Sequence, residues 1–171
     1  MSATPHTLQE FMARALLMER EAVDRYTEFA DAMEGHNNRE VGAMFRTMAG
    51  YEGKHEAQIL AQMGWTHATV PTVNATDWPD FEGPETVPLE DVHYLMQPFH
   101  ALHVALAAEL RAQAFFAQIA KSTTNEAVRA AALEMSQEEQ EHAELVRAWL
   151  KKVPEPQGDW AQDPDPPQYT D

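Results

Sequence analysis

Four stretches of the chain carry apolar residues at intervals of three and four, the period of an α-helix with one buried face. The first has Leu8, Met12, Ala15, Leu16, Ala22, Val23, Tyr26, Phe29, Ala30 and Met33, opens on the capping box Thr7-Leu-Gln-Glu10 and runs to about Gly35. After a turn at His36-Asn37-Asn38, the second carries Val41, Met44, Phe45, Met48, Ile59 and Met63, with Gly64 as its stop. The third spans roughly 99–121; a helical turn begins near Pro88, and Pro98 kinks or restarts it. Ser122-Thr-Thr-Asn-Glu126 caps the fourth, which runs to about Val153, where Pro154 ends it. The pattern predicts an all-α four-helix bundle over residues 1–153.

Residues 65–88 differ in kind, with Pro71, Pro79, Pro84 and Pro88, four acids and no Lys or Arg. At that length they can cross the full height of the bundle and return the chain so that helices two and three run parallel. Trp65 and Trp78 are expected to pin the crossover down. Residues 154–171 form an acidic, Pro-rich tail with five prolines, five acids and no base.

Each helical stripe is broken once by ionisable residues. Helix one reads Met12, Ala15, Glu19, Ala22, Tyr26, Phe29, Met33, while Glu21 groups with Asp24 and Glu28 on the polar side. Helix two reads Val41, Phe45, Met48, Glu52, His55, Ile59, Met63. Helix three reads Leu102, Ala105, Glu109, Ala112, Phe116, Ile119. Helix four reads Val128, Ala132, Met135, Glu139, His142, Val146, Trp149. Four carboxylates and two imidazoles thus face one interior. A buried ionised carboxylate costs several kcal/mol unless it is paired or coordinated, and four together repel one another. No base interrupts the stripes, so two divalent cations are the economical neutralisation. Glu-x-x-His puts both side chains one turn apart on one face, within reach of one ion. One Glu from each of two helices plus Glu-x-x-His from each of the other two is the di-iron carboxylate pattern of helical bundles.

Composition narrows the chemistry further. There is no cysteine, which excludes disulfides, iron–sulfur clusters, rubredoxin-type iron and thiol catalysis. A net charge of −16 disfavours nucleic acid and anionic membranes as partners. No apolar run reaches the length of a membrane span, and the N-terminus lacks the regions of a signal peptide, so a cytoplasmic location is the expectation.

The two halves repeat. Glu19, Ala22 and Tyr26 align with Glu109, Ala112 and Phe116, and Ala30 with Ala120. After a loop three residues shorter, Val41, Met48, Glu52 and His55 align with Val128, Met135, Glu139 and His142. With Glu-x6-Tyr on helix one, and Glu-x-x-His beginning 33 residues after its Glu, the chain resembles the rubrerythrin and ferritin-like superfamily over about residues 7–153. The resemblance implies a ferritin-like fold with two iron ions, Glu52 and Glu139 bridging them, and oxidase, peroxidase or ferroxidase activity. Hydrogen peroxide or dioxygen would be reduced with electrons from an external donor or from Fe²⁺, and manganese suits the same ligands. It also implies a homodimer, with helix pairs exchanged across the crossover as an alternative. The chain departs from rubrerythrins proper in having no cysteine-ligated iron domain. The extra glutamate those proteins carry three residues past the third-helix motif Glu falls here at Ala112.

Tyr26 is the candidate catalytic residue, two turns from Glu19, with a ligand carboxylate as one partner for its hydroxyl; Phe116 in the matching place cannot do this. A third Glu-x-x-His, Glu90/His93, has no counterpart in the repeat and is set aside. His93, His100 and His103 are expected at the surface or at an interface. The reading from a different class is a metal-free helical interaction module that uses the acidic tail and crossover.

Overall fold

The computed structural model describes residues 5–73, 84–156, 158 and 160–162. It is a four-helix bundle: α1 Leu8–Gly35, α2 Arg39–Met63, α3 Pro98–Ser122 and α4 Glu126–Leu150, with a 3₁₀ turn at Leu89–Asp91. Short links join α1 to α2 and α3 to α4, so each pair packs as an antiparallel hairpin.

Two apolar clusters fix how the hairpins meet. One gathers Phe11, Met12 and Leu16 from the start of α1, Ile59 from the end of α2, Phe116 and Ile119 from the end of α3, and Val128 and Ala132 from the start of α4. The other gathers the opposite ends: Tyr26, Phe29, Met33, Val41, Phe45, Ala101, Leu102 and Val146. The ends of α2 and α3 therefore share one end of the bundle, so these helices are parallel, as the length of the crossover predicts. Every inward position from Met12 to Met33 on α1 and from Leu102 to Ile119 on α3 is buried. Burying the large apolar side chains among them, such as Met12, Phe29, Leu102 and Phe116, stabilises the fold by roughly 1.5–3 kcal/mol each.

The helix ends follow the sequence signals, with local differences. Thr7 caps α1, accepting from the Glu10 backbone N–H at 3.1 Å, but the Glu10 carboxylate turns to the His6 N–H at 3.0 Å, so the reciprocal half of the box skips one residue. Asn38 caps α2, and Gly64 closes it in the left-handed region at φ 65°. Pro98 does not kink a helix begun upstream. It sits in the first turn of α3, where its missing N–H would have no helical partner. Helix α4 ends at Leu150, three residues short of Val153, where backbone bonds from Lys151 and Lys152 to Arg147 and Trp149 close the last turn.

The described part of the crossover is tied down by side chains. Trp65 packs on the first cluster; Trp78 lies outside the described residues. The Arg111 guanidinium donates to the carbonyls of Pro84 at 3.0 Å and Thr86 at 3.3 Å, and Arg25 donates to that of Val87 at 3.1 Å. The Asn38 amide donates to the carbonyls of Tyr94 and Met96 at 3.2 and 2.7 Å. Beyond α4, Trp160 of the acidic tail stacks on His100 with ring centroids 3.7 Å apart. No described helix is long and apolar enough to cross a membrane.

Candidate metal centre

The bundle brings all six ligand candidates together between the two apolar clusters. Glu19, Glu52, Glu109 and Glu139 are each fully buried, and His55 is nearly so. The His55 Nδ1 lies 3.6 Å from a Glu19 oxygen, 3.9 Å from Glu52 Oε2 and 3.8 Å from Glu139 Oε1. The His142 Nδ1 lies 3.5 Å from Glu109 and 4.0 Å from Glu139 Oε2. The two imidazole rings stack, centroids 4.5 Å apart. Glu139 thus presents one oxygen to each histidine, and Glu52 sits within ligand range of both.

These separations exceed hydrogen-bonding distance, yet donors about 2.1 Å from one ion sit roughly 3–4.2 Å apart. The eight carboxylate oxygens and both Nδ1 atoms are buried without a hydrogen-bond partner. Such a belt is costly by itself and suited to cations. Glu19, His55 and Glu139 form one triad and Glu109, Glu139 and His142 a second, sharing Glu139. The hard oxygen and imidazole donors fit two ions of iron or manganese.

The electrostatics register the same cost. Burial, then the Glu109 charge, pushes the Glu19 carboxyl up to about 8. Burial and the neighbouring carboxylates also raise Glu52 and Glu139 well above the ordinary carboxyl range. Burial pulls His142 down, but the Glu109 carboxylate outweighs it and holds the imidazole above its usual value. Without cations Glu19, Glu52 and Glu139 keep their protons to higher pH than free carboxyls do; cations would displace them.

Other predicted residues fall as follows. Tyr26 is buried beside the centre, stacked on Phe45. Its hydroxyl has no hydrogen-bond partner, so the bond to a ligand carboxylate is not made here. Glu21, half-buried, joins no ligand group among the described residues. Glu90 is exposed, and His93 stacks on Tyr94 and meets Trp160 edge-on, away from the centre. His100 and His103 lie along α3, whereas His93 precedes that helix, so the three share no continuous helical face.

One buried acid escaped the sequence reading. Glu85, counted there only among the four acids of the crossover, is fully buried, with an oxygen within 4.8 Å of ligand atoms of Glu19 and Glu52. It lies on no helix, so no periodicity could have singled it out.

The sequence profile of the rubrerythrin family matches residues 10–80 and 100–163, segments that contain both Glu-x-x-His motifs and both partner glutamates. This chain belongs to the rubrerythrin family. Among solved structures, this rubrerythrin-family chain resembles an uncharacterized conserved protein from Magnetospirillum magnetotacticum MS-1, with 32% identity and a TM-score of 0.67. The similarity covers 90% of this chain and 99% of the other. Nothing among curated protein sequences matches it. Membership places the bundle in the ferritin-like class and makes the Glu/His belt the rubrerythrin-type metal centre candidate.

Proposed function

We propose that this chain is a di-iron oxidoreductase of rubrerythrin type that reduces hydrogen peroxide or dioxygen, with electrons supplied by an external donor. The observation that carries the reading is the shared carboxylate: Glu139 directs one oxygen toward each half of a belt whose carboxylate oxygens and histidine Nδ1 atoms are otherwise unbonded. Glu19, Glu52 and His55 would hold one ion and Glu109, Glu139 and His142 the other. When bound, a pair of iron ions would relay the donor's electrons and offer open coordination positions for oxygen chemistry.

The protein's own residues fix the ligand geometry, keep bulk water out with the two apolar clusters, and offer carboxyl groups that can hold or release a proton. A cavity of about 10 Å³ lies against His55, its lining running from buried Met12 and Ile59 to exposed Gln62 and Glu134. That is room for about one water-sized molecule. The absence of cysteine means that a cysteine-ligated iron centre within the chain cannot feed electrons to the site.

The test is stopped-flow spectroscopy of the Fe²⁺-loaded protein mixed with peroxide. Oxidation well ahead of free Fe²⁺, complete at two ions per chain, is the expected outcome. Oxidation no faster than free iron would sink the reading, and continued uptake far beyond two ions would redirect it to iron handling.

A further inference from the structure

We infer that Glu85 is a fifth carboxylate ligand of the metal centre, carried in by the crossover and set in place by two arginines on its backbone. The inference rests on the reading that the belt binds metal, and it concerns a residue in the gap between the two family-matched segments, 10–80 and 100–163.

Four observations converge on it. Glu85 is fully buried although it belongs to a loop, where a carboxylate could turn to solvent at no cost. Neither of its oxygens accepts a hydrogen bond from an N–H or hydroxyl of the fold, and the carboxyl faces that of Glu52, itself a candidate ligand. An oxygen of Glu85 lies within 4.8 Å of ligand atoms of both Glu19 and Glu52, a separation that one ion can span with modest side-chain adjustment. The backbone around it is held from two helices. Arg111 of α3 donates to the carbonyls of Pro84 and Thr86, on either side of Glu85, and Arg25 of α1 donates to that of Val87.

The two guanidinium groups bond to the carbonyls flanking Glu85 rather than to its carboxylate, and they fix the loop so that its side chain enters the bundle. Thr86 and Val87 are buried with it, which closes the loop over the site.

The consequence is asymmetric. The internal repeat gives each half one Glu and one Glu-x-x-His, but Glu85 sides with Glu19 and Glu52, and no such group forms beside Glu109 among the described residues. The ion on the Glu19 side therefore has one more anionic donor than its neighbour. Five carboxylates carry one negative charge more than two divalent ions cancel. The extra charge favours the higher oxidation state of the nearer ion and lowers its reduction potential.

Anaerobic titration with Co²⁺ tests the assignment, because the intensity of its visible absorption falls as coordination number rises. Wild type should bind two ions with distinct spectra. Glu85→Gln, of equal volume and no charge, should bind one of them about tenfold or more weakly and raise its absorption intensity, leaving the other unchanged. In the iron-loaded protein the same substitution should raise the midpoint potential measured by spectroelectrochemistry. Arg111→Met should shift the Co²⁺ spectrum in the same direction, and the double variant should be no weaker than Glu85→Gln alone.

If wild type binds two ions and Glu85→Gln binds them with the same affinity and spectrum, the ligand assignment is wrong and the metal centre stands. If wild type binds none, both fall. Should the amide variant not fold, Glu85→Asp keeps the charge on a shorter arm; a spectrum identical to wild type there also overturns the assignment.

Discussion

At the scale of the residue, a ligand carboxylate and a structural one differ in what their removal does. Glu139 is fully buried with both oxygens unbonded, so in the metal-free protein it is a burden. Glu139→Gln should raise the urea midpoint of the metal-free chain while lowering its metal content below one ion per chain, read by elemental analysis after reconstitution. A structural carboxylate would lose stability in both states. Tyr26 offers a second contrast. Its hydroxyl is buried without a partner, and an unsatisfied buried hydroxyl costs roughly 1–3 kcal/mol. Tyr26→Phe should leave the metal-free protein as stable as wild type or more so, by denaturant melts, with metal affinity unchanged. If the hydroxyl takes part in the chemistry, the peroxide rate alone should drop.

At the scale of the element, the centre depends on how the hairpins and the crossover are joined. Asn38 does two jobs: its oxygen caps α2 through the Val41 N–H, and its amide holds the carbonyls of Tyr94 and Met96. Asn38→Ala should cost more than an ordinary cap, about 2 kcal/mol, because it removes the cap and frees two carbonyls together. Asn38→Ser, which keeps a capping oxygen but not the amide donor, should recover about half, as equilibrium unfolding would show. The α1/α2 hairpin leaves little room at Gly42, where a Cβ would come 2.9 Å from the Glu34 Cγ and 3.3 Å from the Ala30 carbonyl oxygen. Glu34 can move, but it pairs with Arg46, and the Ala30 carbonyl is backbone. Gly42→Ala should therefore destabilise the hairpin by about 1 kcal/mol, despite alanine's better helix propensity.

At the scale of the whole molecule, the belt makes metal-free stability depend on pH with a definite sign. The Glu19 carboxyl titrates near 8 in the fold against an ordinary 4.5, so between those values the folded state binds more protons than the unfolded one. Stability then falls as pH rises, by up to about 1.4 kcal/mol per pH unit for each such carboxyl. Below 4.5 this contribution vanishes, and above 8 its cost is fully present. Glu52, Glu85 and Glu139 are shifted in the same direction. His142, raised, adds stability at low pH that is lost as pH rises, so it acts with the same sign. Urea melts of the metal-free chain should show higher stability at pH 5 than at pH 8. Saturating Fe²⁺ or Mn²⁺ should remove most of that slope and raise the melting temperature, because ions bound only by the folded state stabilise it by mass action.

Much of this was legible in the chain itself. Helical periodicity located all four helices, because burial of one face imposes a period of 3.6 whatever the packing partner. The same periodicity marked Glu19, Glu52, His55, Glu109, Glu139 and His142 as inward, and rejected Glu21, since an acid on an apolar stripe is an exception with a cost. The internal repeat paired them. What the sequence did not mark was Glu85, where only tertiary contacts decide the direction of a loop side chain: the Arg25 and Arg111 bonds to loop carbonyls turn it inward. Nor could spacing show that the Tyr26 hydroxyl lacks a partner, which depends on how closely Phe45 and the facing helices pack. Periodicity determined which residues face the core; the fold alone determined which atoms meet there, because contact across helices depends on register and loop path that no local pattern encodes.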